Sequence, residues 1–181
     1  MTRRKRPERP VYLNAVQRAI ARARPLALAD VTNQQELMQH ALVQFSQGVN
    51  CADHWCSLAD AANMAETLAD MGLGAGVEVD ALILAGQQAL FDVHGRHSTR
   101  GTWTLYPAEL KALDDLVWLH GTVQLPACSY GEFSDALGRT RNRMQQALAG
   151  NAARGTLVID GGIGRSQPHP NEPAAPAAPG A

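Results

Sequence analysis

From Tyr130 to Leu148, apolar or weakly polar side chains recur every three or four residues: Tyr130, Phe133, Leu137, Thr140, Met144 and Leu148. A strand alternates with period two, so only a helix of about five turns puts these positions on one face. Ser129 and Glu132 open it as a capping box, and Gly150 lies at its end. The same grammar of cap, stripe and breaker recurs along the chain. One segment runs from Pro10 to Ala23, with Pro25 beyond its end. Another follows Thr32, with Gln35 as its reciprocal cap, Leu37, Met38, Ala41, Leu42 and Phe45 as its stripe, and Gly48 as its stop. A third begins after Asn50 and ends at Gly72, and a fourth runs from Val77 to His94 or His97. A fifth has Pro107 at its first position and Glu109 in its first turn, and runs to His120.

This pattern predicts an all-α fold, a single bundle of five to six helices over residues 10–165. Aromatic residues make up only 5% of the chain, which disfavours a β-sandwich because strands draw on aromatic and β-branched residues. Thr102–Leu105 and Thr156–Ile159 each follow a glycine and read as extended, enough for one minor two-strand pairing. Residues 1–9 are expected to form a disordered basic arm, and residues 166–181 a disordered Pro/Ala-rich tail. No apolar run reaches the length of a membrane span, and no apolar core follows the basic N-terminus as a secretory signal requires. With three cysteines no full disulfide framework is implied, so a cytoplasmic chain with reduced thiols is the expectation.

Charge is segregated. Residues 1–24 carry Arg3, Arg4, Lys5, Arg6, Arg9, Arg18, Arg22 and Arg24 against Glu8 alone. Residues 25–95 carry nine carboxylates and no Lys or Arg at all. Such asymmetry speaks to association rather than to fold. Intramolecular neutralisation is the plain alternative to a partner.

The stretch CADHWC, residues 51–56, poses the question of chemistry. With Asn50 as the N-cap, Cys51 and Cys56 point about 140° apart on a helix. They cannot share a metal or a disulfide between themselves. Cys51, Trp55, Leu58, Ala59, Ala62, Ala65 and Ala69 form one face, a core stripe of small residues. A zinc site survives only if Cys51 and His54 meet His94 and His97 of the fourth helix. The alternative is a capping turn with core or surface histidines, and no CxxC or HExxH frame supports the metal.

Residues off their helix's pattern carry the rest. Glu66 lies inside the apolar face of the third helix, and Arg141 sits between Leu137, Met144 and Leu148 on the sixth. An unpaired buried charge is expensive, so Glu66 and Arg141 are expected to form a structural ion pair. Leu84 and Phe91 lie one heptad apart on the side of the fourth helix opposite its main apolar face. Trp118 projects among Lys111, Asp114 and Asp115. These three, with Arg3, Arg4, Lys5 and Arg6, are the candidate partner contacts. His120, within an apolar face, reads as a satisfied core histidine. Cys128 precedes a helix N-terminus, a setting that lowers a thiol's pKa, but no base is evident beside it. DGGIG at 160–164 lacks the helix and the Lys-Ser/Thr ending of a phosphate loop. Nothing here commits to catalysis or to a cofactor, so a non-enzymatic role is expected.

The runs WCSLADAANMAETLADMGLG, RGTWTLYPAEL and CSYGEF resemble a group of uncharacterised accessory proteins of proteobacterial prophages and mobile elements. The resemblance spans roughly residues 10–160 and brings no functional residue with it. It implies a protein of a phage or mobile element that acts on a host or phage macromolecule. On this reading the chain is an interaction protein whose partner is a protein or a nucleic acid, with the basic arm as the expected point of contact. The alternatives are the zinc-binding protein and an acidic inhibitor of a nucleic-acid enzyme.

Overall fold

The computed structural model describes residues 15–149; Arg3, Arg4, Lys5, Arg6, the remainder of the arm, Thr156–Ile159 and the Pro/Ala tail lie outside the described residues. Within them the chain is all-α, with six helices: α1 (Ala15–Ala23), α2 (Leu28–Ser46), α3 (Cys51–Asp70), α4 (Val77–Arg100), α5 (Pro107–Trp118) and α6 (Tyr130–Leu148). A π-helical stretch, Leu119–Gln124, and a short turn, Leu125–Ala127, prolong α5 toward α6.

α3 is the centre. It packs against α2, α4, α5 and α6, and twelve of its twenty residues are buried. The burial goes well beyond one stripe: Leu58, Ala59, Ala61, Ala62, Asn63, Met64 and Ala65 are consecutive or nearly so, and all are buried. Alanine allows this, because a one-carbon side chain lets neighbouring helices approach from several directions. α4 and α5 make an equally close contact, where a Cβ on Gly86 would lie 2.7 Å from Leu116 Cδ2.

The helix ends show where local sequence governs and where it does not. Ser129 and Glu132 do form the expected capping box, with Ser129 Oγ accepting from Glu132 N–H and Glu132 Oε2 accepting from Ser129 N–H. These bonds hold the Glu132 carboxyl below its usual pKa, the backbone N–H of Ser129 contributing most. Thr32 and Gln35 form no cap, since α2 already begins at Leu28. Its start is set from outside: Leu26 N–H donates to Cys128 O and Tyr130 N–H to Arg24 O, pinning the α1–α2 connection against the entry to α6. Asn50 is at the N-cap of α3 but makes no side-chain cap bond and sits in the left-handed region. α4 runs one turn past His97, until Gly101 turns left-handed at φ 71° and donates to His97 O.

The π-helical stretch has a local cause. Pro126 has no N–H, and its ring would meet the carbonyl four residues back in an α-helix. Widening the preceding turn moves that carbonyl aside. The widened turn is lined by His120 and Gln124, both buried. Gln124 Nε2 donates to Ala65 O and to Leu73 O, which leaves its Oε1 to accept from His120 Nδ1–H at 3.0 Å. His120 is thus the satisfied core histidine expected of its position, and burial lowers its pKa.

Candidate functional site

CADHWC resolves into packing. Cys51 and Trp55 are buried, and Trp55 Nε1–H donates to Leu90 O on α4 at 2.9 Å. All three cysteines are free. The four residues of the zinc reading do not converge: His54 lies edge-on to His40, while His94 and His97 turn to Trp103. Among the described residues no three His, Cys, Asp or Glu side chains are grouped to hold a metal ion. Cys128 is no activated thiol either. It is buried, and desolvation, aided by the nearby Glu132 carboxylate, pushes it up to about 11.

Trp103 does what its extended segment could not do as a strand. No strand is present among the described residues, and Thr102–Tyr106 instead crosses from α4 to α5 as an irregular link. The indole stacks on His97 at 4.0 Å between centroids, with Phe45, Trp55 and His94 at 6.0–6.3 Å. Burial, followed by the proximity of His97, lowers the pKa of His94. Arg96 ties the link down. Its guanidinium pairs with Glu109 at 2.5 Å, donates to Thr104 O and lies over the Tyr106 ring. Glu109 in turn accepts from Tyr106 N–H, closing the start of α5. Both side chains of the ion pair are largely buried, at 16% and 13% exposure.

The expected Glu66–Arg141 pair is corrected. Glu66 is half-buried and accepts from Gln87 Nε2 at 3.1 Å. The arginine beside it is Arg143, 4.0 Å away, which also pairs with Asp70. Arg141 is exposed. The cause is the phase of α6: its inward positions are Phe133, Ala136, Thr140, Met144 and Ala147, rather than the series through Leu137. Ala136 is small enough to meet α3, and Thr140 Oγ1 donates to Thr67 Oγ1 at 2.9 Å. That rotation brings Arg143 to the interface and carries Arg141 outward. Asp135, on the same side of α6 as Arg139, pairs with Arg22 of α1 at 2.6 Å.

The partner-contact candidates within the described residues are all on the surface. Leu84 is 65% exposed, Phe91 50% and Trp118 56%. Leu84 and Phe91 form one stripe on α4, with Gln88 between them bonded to Asp92. Phe91 borders an open depression with Asp92, Gly95, Arg96, Thr99 and Arg100. Trp118 belongs to a different side. Gly86 and Leu116 mark where α4 meets α5, and helical spacing turns Leu84 away from that contact on one helix and Trp118 away from it on the other.

No protein-family model matches the chain, and neither a curated protein nor a solved structure matches it. None of the described helices is long and apolar enough to cross a membrane.

Proposed function

We propose that this is a non-enzymatic interaction protein of a phage or mobile element, which docks a host or phage protein on the outer face of α4. The observation that supports this reading is the Leu84–Phe91 stripe. Two large apolar side chains, one heptad apart, stand more than half or half in solvent on a helix whose opposite side is fully packed. Helix-borne anchors at this spacing are how amphipathic surfaces engage grooves and helices of partners. The core of the molecule has no use for either residue: Ile83, Leu90 and Val93 already fill the inward side of α4.

A pull-down from host lysate tests it, comparing the full chain with the double variant Leu84→Glu/Phe91→Glu. The expected result is a defined protein retained by the first and lost by the second, with unchanged melting temperature. Retention by both places the partner elsewhere. A basic protein captured only at low salt would favour the acidic-inhibitor reading, in which residues 25–95 form the contact.

A further inference from the structure

Two stretches of the sequence are free of acidic residues around exposed arginines: residues 9–29 and residues 136–159. The fold puts their described parts in α1 and α6 side by side. Tyr130 is bonded to Arg24 O, and Arg22 to Asp135 and Gly131 O, so α1 runs antiparallel to α6. The backbone contacts of Arg24 with Tyr130 and of Arg22 with Gly131 set Arg18 level with Asp135 and Ala136, one turn before Arg139. It lies on the same half of α1 as Ala21 and Arg22, the half turned to α6.

Beyond Asp135 the outward face of α6 is polar and cationic except for Leu137, 37% exposed, one turn before Arg141. Arg139 and Arg141 flank a strip of Gly138, Asn142, Gln145 and Gln146, all exposed. A Cβ on Gly138 would meet nothing within 4 Å, so the strip is open. Arg18, Arg139 and Arg141 make no ion pair among the described residues. The carboxylates nearest the face are already taken: Asp70 and Glu66 by Arg143, and Asp135 by Arg22.

We propose that this face of α6, with Arg18 of α1, binds the phosphate backbone of a nucleic acid. Guanidinium groups match phosphate oxygens in paired hydrogen bonds, and the amides of Asn and Gln add uncharged donors beside them. An anionic membrane is the other polyanion of this chemistry. It would require several apolar side chains to insert beside the arginines; on this face Leu137 alone is one, and Val16 and Ile20 lie on the half of α1 opposite Arg18 and Arg22. The surface is distinct from the α4 stripe and does not depend on it.

The test is fluorescence anisotropy of a labelled mixed-sequence duplex and its single strand with the full chain, titrated between about 50 and 200 mM salt. Arg139→Ala/Arg141→Ala should weaken binding about tenfold or more and flatten the logarithmic salt dependence by about two. Its melting temperature should stay that of the wild type. Arg18→Ala should act in the same direction. Three results overturn the proposal: no nucleic-acid binding at low salt, binding unchanged in the double variant and lost only when residues 1–9 are deleted, or sedimentation with phosphatidylglycerol vesicles but no binding to either nucleic acid.

Discussion

α3 and α1 are opposite kinds of helix within one bundle. α3 carries no Lys or Arg, buries twelve side chains and is touched by four other helices. α1 carries Arg18 and Arg22, has no buried residue and rests on α6. The difference separates what makes the fold from what the fold carries. Alanines let α3 serve as a hub, while α1 is held at its end by main-chain bonds and one exposed ion pair. Stability should therefore be lost at α3 and its contacts, and α1 should loosen without unfolding the rest.

The largest expected effect is at Trp55, the heaviest side chain on the hub. It is 6% exposed, and its indole N–H is bonded to Leu90 O. Trp55→Ala should cost about 4 kcal/mol of unfolding free energy, through the cavity left between α3, α4 and Trp103. Denaturant unfolding measures this directly. A loss below about 1 kcal/mol would mean that the α3–α4 contact closes over the gap, and that α3 is not the hub described.

Much of the contrast was legible in the sequence, for a physical reason. Where an end or a stripe is decided locally, as by Ser129–Glu132, Pro107 or the alanines of α3, spacing alone places it correctly. Where a distant segment decides, spacing misleads. Thr32–Gln35 has the letters of a cap, but the pairing of Leu26 with Cys128 lets α2 start a turn earlier. Leu137 invited an inward assignment by its size, yet α3 accepts Ala136, and this choice exchanged Arg141 for Arg143. Trp103 looked like strand because an extended link and a strand share composition. Of its real partners, His97 is six residues back on α4, and Trp55 is near only after α3 and α4 have packed. The π-helical turn did leave a sign, Pro126 within a helical run.

A smaller effect should appear with pH, and it too belongs to the body. His120 is buried, and desolvation depresses its folded pKa against the upward pull of Gln124. His94 is depressed by burial and then by His97. In both, the unfolded chain takes up the proton first, from its ordinary value of 6.5. Their contribution is therefore complete above that pH and is lost as pH falls toward the folded values. Each such histidine can cost up to about 1.4 kcal/mol per pH unit in that window. Urea midpoints taken near neutrality and about one unit below 6.5 should fall accordingly, and His120→Gln should flatten the trend. Equal slopes in the two proteins would mean that His120 is charged inside the fold.

The smallest effect, and the sharpest test of the contrast, concerns Arg22. Its guanidinium bonds Asp135 and Gly131 O and is the only ion pair made by α1 among the described residues. The pair is about half exposed on both sides, so it orients α1 and adds little to global stability. Close backbone contact supports the same end of the helix: a Cβ on Gly131 would lie 2.9 Å from Arg22 O. Arg22→Ala should leave the melting temperature unchanged while amide exchange across Ala15–Ala23 accelerates and that of α3 does not. If protection in α3 fell in step, α1 would be part of the cooperative unit. If only α1 exchanged faster, Arg18 would also lose its fixed place along α6. The nucleic-acid affinity proposed for α6 should then drop in a variant whose body is intact, because three arginines held in register bind phosphates better than two fixed and one free.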